Sequence, residues 1–110
     1  MNNLTQKHCV PCEGGVEPLG TSEIEALKSQ LNQEWSVIDG MKLRRQFRFD
    51  TFLEAIEFVN KIAPIAEAEQ HHPDIYVFFN KVQIELFTHA IGGLHENDFV
   101  VASKIDQLYE

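Results

Sequence analysis

From Ile24 to Leu31 the apolar positions Ile24, Leu27 and Leu31 recur at helical spacing, behind Thr21-Ser22 and with Glu25 three residues after Ser22, a capping-box pattern that predicts a helix ending near Asn32. The period then changes. Trp35 to Ile38 and Met41 to Phe49 flank Asp39-Gly40, a pair that accepts φ > 0, and read as a β-hairpin. In its second strand Leu43, Phe47 and Phe49 share one face and Lys42, Arg44, Gln46 and Arg48 the other; Arg45 interrupts the apolar face, either as a ligand contact or as a strand-edge residue. Helical spacing returns from Thr51 to about Gln70 with Phe52, Ile56, Val59, Ala63 and Ala66, and Asp50 is a good N-cap. Pro64 lacks an N–H and crowds the Asn60 carbonyl, which predicts a kink or a split. Residues 74–79 and 82–89 are rich in β-formers around Asn80-Lys81 and read as a second hairpin. After the loop Ile91-Gly92-Gly93-Leu94, Glu96 to Tyr109 makes a last helix with Val101, Ala102, Ile105 and Leu108 on its buried stripe.

The order helix, strand, strand, helix, strand, strand, helix predicts an α+β fold: a four-stranded antiparallel sheet with three helices packed on one face. Residues 21–110 are expected to form a single domain, preceded by an irregular arm over residues 1–20. The other sheet face carries Tyr76, Phe78, Phe87 and the basic side chains of the second strand, too many aromatics for a simply solvated surface. That predicts self-association through this face or an exposed edge strand.

Composition narrows the partners. A formal charge of −8 argues against nucleic acid and anionic membranes, both of which need basic patches. No apolar run approaches the roughly 18 residues of a membrane span, and the first residues lack a signal-peptide core, so a cytoplasmic protein is expected. Cys9 and Cys12 form a lone Cys-Val-Pro-Cys. A structural zinc site wants four ligands and only His8 adjoins the pair, whereas a redox pair expects a strand-to-helix junction. Pro11, Gly14, Gly15 and Pro18 mark loop instead, which predicts a mobile arm with two reduced thiols.

Four of the five histidines fall between Glu67 and Asp98, and three of them, His71, His72 and His89, bear on one turn. A two-residue loop at Asn80-Lys81 pairs Phe79 with Val82, Val77 with Ile84 and Ile75 with Leu86, and places His72 opposite His89, roughly 4.5–5.5 Å away. His71 lies where a helix ends before Pro73, with Glu67 one turn behind it. Three imidazoles and a carboxylate thus converge at one end of a hairpin. Imidazole gives and takes protons near neutral pH, so the cluster reads as an acid/base site. A three-histidine zinc site is the rival, but adjacent residues in extended chain point opposite ways, which makes His71 and His72 awkward co-ligands. The plainer readings are a solvated helix charge for Glu67 and a first-turn dipole partner for Asp98.

Glu67-x3-His71-His72-Pro73, the aromatic Phe79 six residues on, His89 ten later and Asp98 nine beyond resemble the signature of the pterin-4a-carbinolamine dehydratases. Trp35, Asp39-Gly40, Asn80-Lys81-Val82, Thr88-His89 and Gly93-Leu94 extend the likeness over about residues 20–110, and the Cys-x-x-Cys arm followed by Pro-Leu is similar to those of bacterial and plant members. The resemblance implies the fold above and homodimers or homotetramers assembled through the sheet. It implies dehydration of a 4a-hydroxytetrahydropterin to the quinonoid dihydropterin, recycling the pterin of aromatic amino-acid hydroxylases and coupling functionally to phenylalanine hydroxylase, with no metal or organic cofactor. It makes His71 and His89 the acid/base residues at the leaving hydroxyl and His72 a ring-positioning group. Glu67 would orient His71, Asp98 would bond nearby groups at the start of the last helix, and Pro73, Thr88 and Trp35 would shape or orient the substrate site. Departures are Phe79 where tyrosine is common, Ile75 where animal members carry tryptophan, His95 where Ser or Thr usually caps the last helix, and Pro64. A non-catalytic dimerisation or regulatory module is the second reading, since animal members also act as dimerisation cofactors of a homeodomain transcription factor and relatives lacking the histidines serve as Rubisco assembly factors. All three histidines are present here, which favours the enzyme.

Overall fold

Asp39 and Gly40 take φ of +54° and +68°, and so turn the chain tightly enough for β1 (Ser36–Ile38) to lie antiparallel on β2 (Lys42–Arg48). The computed structural model describes residues 4–10 and 16–109. β2 pairs on its other side with β4 (Lys81–Leu86), from Leu43 opposite Leu86 to Arg48 opposite Lys81. β3 (Asp74–Phe78) then pairs with β4 at the far edge, giving the order β1-β2-β4-β3. The helices are α1 (Thr21–Lys28), α2 (Phe52–Glu69) and α3 (Glu96–Tyr109). Alternation in β2 and β4 sends Leu43, Phe47, Val82, Ile84 and Leu86 to one face, where they meet Ala55, Phe58 and Ile62 of α2 and Phe99, Val101 and Ile105 of α3. The expected α+β order and antiparallel sheet are observed.

Helix ends differ in instructive ways. The α1 cap is Gly20, whose N–H donates to Glu23 Oε1 at 3.0 Å, so Glu23 and not Glu25 closes the first turn, and the helix stops at Lys28. For α2 the cap is Thr51, one residue after Asp50: its hydroxyl accepts from the Glu54 N–H and its own N–H donates to the Glu54 carboxylate. The buried stripe of α2 is Ala55, Phe58, Ile62, Ala66 and Glu69, and Phe52 is half exposed. This stripe as far as Ala66 and the expected Phe52-Ile56-Val59-Ala63-Ala66 row are both apolar, with Ala66 common to the two, and only packing against β4 and α3 chooses between them. Pro64 does not divide α2. It and Asn60 lie on the solvent side, where water can serve the carbonyl that loses its partner.

The second hairpin turns one residue earlier than expected, at Phe79-Asn80, with Phe79 at φ +54°. Val77 therefore faces Val82, and Ile75 faces Ile84. The two-residue shift keeps every side chain on its expected face but removes the pairing of His72 with His89. The cause is tertiary: Asn80 Nδ2 donates to the Phe49 carbonyl at 2.9 Å and the Phe49 N–H donates to Asn80 O at 2.8 Å, which ties the turn to the end of β2.

The described part of the arm is docked, contrary to the expectation of a mobile tail. Leu4–Gln6 forms a single 3-10 turn with Leu4 in the core. Further on, the Leu19 N–H donates to the Leu94 carbonyl at 2.9 Å. Cys12, and with it the Cys-Val-Pro-Cys pair, lies outside the described residues. Among those residues no helix is long and apolar enough to cross a membrane.

Candidate active site

The site begins where α2 ends. Gln70 adopts the left-handed conformation at φ +55°, and the His71 N–H reaches back to the Ala66 carbonyl at 3.1 Å, the closing bond of a Schellman-type terminus. This break, followed by Pro73, sends the two adjacent imidazoles to different partners. His71 turns inward, with Nε2 2.6 Å from Asp98 Oδ1. His72 turns outward and its Nε2 meets Glu67 Oε2 at 2.5 Å, both side chains being exposed. Glu67 was expected to orient His71; the left-handed Gln70 swings that ring away and leaves Glu67 to His72.

Asp98 is fully buried in the first turn of α3. Its Oδ2 accepts from Thr88 Oγ1 at 2.8 Å and from the His95 N–H at 3.0 Å, and its Oδ1 faces His71. An ionised carboxylate only accepts, so His71 Nε2 is the donor, and Nδ1, without a hydrogen-bond partner among the described residues, is the nitrogen left for chemistry. The helix N-terminus favours negative charge at the same spot. His95 caps α3 with its ring, Nδ1 accepting from the Asn97 N–H at 3.0 Å, which does the work of the usual Ser or Thr.

His89 arrives by a different route. Thr88 leads into a 3-10 turn, His89–Ile91, which Gly92 ends at φ +67°, and the Thr88 N–H donates to the Gly93 carbonyl at 2.8 Å. The His89 ring packs on Phe87 with centroids 4.0 Å apart. His71, His72, Pro73, Thr88 and His89 all line one cleft of about 690 Å³, with Phe87 as an aromatic wall. Asp98 stands behind His71, outside the lining, and Glu67 reaches the cleft through His72.

Trp35 is placed elsewhere. It is buried in the core, its indole N–H donating to both oxygens of Asp106 at 2.8 and 3.0 Å, and it does not line the cleft. Arg45 belongs to the same group: Nη1 lies 2.6 Å from Asp106 and the guanidinium stacks 4.3 Å from the Phe47 centroid, which settles it as a core ion-pair residue. Burial pushes the Asp106 carboxyl above its usual range, outweighing Trp35 and Arg45, which favour the ionised form.

Among the lining residues that the sequence reading did not assign to the site are Cys9, Val10, Glu69 and Asn97. Glu69 was findable, since it continues the Ala55-Phe58-Ile62-Ala66 stripe and a carboxylate on a buried stripe is unusual. Burial drives its carboxyl upward, but the Cys9 amide, His8 and Lys104 together overcome this and hold it below the usual carboxylate range. Burial, reinforced by the Glu69 charge, pushes the Cys9 thiol up to about 12. Among the described residues no three histidine, cysteine or carboxylate groups gather as a metal-binding set.

The model of one protein family, pterin 4 alpha carbinolamine dehydratase, matches residues 17–108. A protein of Alkaliphilus metalliredigens provisionally named pterin-4-alpha-carbinolamine dehydratase is 50% identical, over 97% of this chain and 96% of its own length. One of the same provisional name from Rubrobacter xylanophilus is also 50% identical, over 98% of this chain and 100% of its own. Among solved structures, a Brucella melitensis protein described as a transcriptional coactivator/pterin dehydratase superposes with a TM-score of 0.79 at 30% identity, over 86% of this chain and 100% of that one. A pterin dehydratase-like RuBisCO assembly factor of the alpha-carboxysome, 21% identical with a TM-score of 0.60 over 71% of this chain and 92% of that one, shares the fold.

Proposed function

The chain belongs to the pterin 4 alpha carbinolamine dehydratase family, and from that premise we propose that it dehydrates a 4a-hydroxytetrahydropterin to the quinonoid dihydropterin and water. The observation that carries this reading is the clamped His71, its Nε2 tied to buried Asp98 and its ring lining the cleft shared by His72 and His89. In the reaction the C4a–O bond breaks, the leaving hydroxyl takes a proton to become water, and a ring nitrogen releases one. An imidazole with a fixed tautomer suits either transfer, because its second nitrogen changes protonation near neutral pH without moving. His71 and His89 are the two acid/base residues of this reading. His72, steadied by Glu67 at the rim, positions the ring, and Thr88 acts through Asp98.

The recycled pterin would serve an aromatic amino-acid hydroxylase, phenylalanine hydroxylase in the first instance. Copies of the chain are proposed to associate through the sheet, where edge strand β3 exposes Tyr76 and Phe78 with parallel rings 6.5 Å apart. Sedimentation velocity of the purified protein tests that part, and a monomer at micromolar concentration would overturn it.

The purified protein is expected to accelerate 4a-carbinolamine dehydration, followed by the absorbance of the quinonoid product. His71→Ala combined with His89→Ala should lower kcat at least about 10²-fold, the usual contribution of a positioned acid or base. Equal rates for wild type and the double variant would overturn the catalytic reading and leave a binding module.

A further inference from the structure

The cleft is not built from the histidine segments alone. Cys9 and Val10 of the arm also line it, beside Glu69 and Asn97. The arm is fixed there at several points. Leu4 is in the core, Lys104 Nζ donates to the Thr5 carbonyl at 3.0 Å, and Lys7 pairs with Glu96 at 2.6 Å. At the cleft itself Glu69 Oε1 accepts the Cys9 N–H at 2.7 Å while Oε2 lies 2.9 Å from His8 Nδ1. Asn97 holds Val10 from both sides, Oδ1 accepting its N–H at 3.1 Å and Nδ2 donating to its carbonyl at 2.7 Å.

Glu69 and Asn97 are both buried, and a buried carboxylate or amide is costly unless its bonds are satisfied. Here the arm's own backbone supplies the partners. Both side chains come from segments that carry site groups: Glu69 sits two residues before His71, and Asn97 adjoins Asp98. The bonds that satisfy them also hold the arm in the wall of the same cleft. Lys104, 3.7 Å from Glu69, adds a positive charge behind that carboxylate.

We infer that Cys9 and Val10 form a substrate-binding wall of the histidine cleft, against which the pterin packs, and that Glu69 and Asn97 are positioning residues that hold it in place. The inference rests on the dehydratase reading of the cleft. Cys9 contributes as a neutral, weakly polar surface, and Val10 as an apolar one. The acid/base groups lie on other segments, so the wall acts on binding and leaves the proton transfers alone.

Deleting the arm would remove core Leu4 and confuse binding with folding, so point variants are the better test. Val10 is 57% exposed, and Val10→Asp therefore places a charge at the wall without disturbing the core. Glu69→Gln keeps the shape of the clasp and removes its charge. Turnover of the 4a-carbinolamine and equilibrium binding of 7,8-dihydrobiopterin, read by fluorescence quenching, are measured for each. Both variants should raise KM and Kd about five- to tenfold, the scale of one lost charge-assisted or packing contact, with kcat within about twofold and its pH profile unmoved. In Glu69→Gln the Cys9 amide should also exchange its hydrogen faster. Unchanged KM and Kd in both variants, or a fall in kcat at constant KM, would overturn the inference. Wild-type protein that binds the dihydropterin without turning over substrate would overturn the dehydratase reading alone, and Kd would then decide the wall. Wild-type protein that binds no pterin would overturn both.

Discussion

Asp98 Oδ1 lies 2.6 Å from His71 Nε2, a bond between residues 27 apart in sequence that ties the end of α2 to the first turn of α3. One buried carboxylate therefore does two things: it satisfies a helix N-terminus through the His95 N–H, and it selects the tautomer of an imidazole in the cleft. The two roles can be separated. Asp98→Asn keeps an acceptor for Thr88 and His95 but can present its amide N–H to His71, which would favour the wrong tautomer. We expect kcat to fall about 10²-fold or more with only modest loss of stability. The check is kcat and its pH profile beside a urea melt; wild-type turnover would reduce Asp98 to a helix cap.

Arg45→Met should destabilise the protein without impairing the folded site. Arg45 is 7% exposed and pairs with Asp106, and its removal leaves that carboxylate with the Trp35 indole and the Asn32 N–H. Breaking a buried pair from one side costs about 3 kcal/mol or more. Urea denaturation reads the loss, and kcat of the folded variant should match wild type because Arg45 does not line the cleft.

Gly93→Ala tests close packing beside the site. A Cβ at Gly93 would come 2.8 Å from Pro18 Cβ, and the Gly93 carbonyl holds the Thr88 N–H whose hydroxyl serves Asp98. Overpacking of this kind costs about 1–3 kcal/mol. The melting temperature should fall together with kcat, and Pro18→Gly in the same chain should recover most of both.

Acid should loosen the protein at two carboxylates. Glu69 is held below its usual range as described above; at Glu85 burial raises the carboxyl, but hydrogen bonds from Arg44 and Lys42 outweigh it and lower the net value. For each group the folded state binds its proton less readily than the unfolded chain does. The stabilisation is therefore complete above the ordinary value of 4.5 and is lost as pH falls through the depressed folded-state value. Thermal melts between pH 6 and pH 3 should show a falling limb that becomes shallower in Glu69→Gln and in Glu85→Gln. An unchanged slope in both would refute the assignment.

Phe79 offers a gain. It sits at φ +54° in the β3–β4 turn and is 70% exposed, so its ring contributes little to balance the left-handed backbone. Phe79→Gly should raise stability by about 1 kcal/mol, measured by urea midpoint.

Much of this was legible along the chain. Asp39-Gly40 announced the first hairpin because a turn of that kind depends on residues that accept positive φ, a local property. The element order and the faces of β2 and β4 followed from side-chain alternation, which is also local. His71, His72 and His89 line one cleft, although the hairpin register that led the sequence to bring them together is two residues away from the true one. They meet all the same, because the left-handed Gln70 and the 3-10 turn after Thr88 carry the histidines there.

By itself the amino-acid sequence determined what neighbours within a few residues can dictate: where helices and strands run, which face of each strand is apolar, and that histidines cluster near one turn. The tertiary structure alone decided the partners. Two apolar rows on α2 compete until β4 and α3 cover one, and the β3–β4 turn falls at Phe79-Asn80 because Asn80 bonds Phe49, 31 residues away. Glu67 goes to His72 and Asp98 to His71, the arm closes on Glu69 and Asn97, and Trp35 and Arg45 leave the site for Asp106. Each of these choices is a hydrogen bond or a buried contact between distant segments, and its energy exists only once the chain has brought them together.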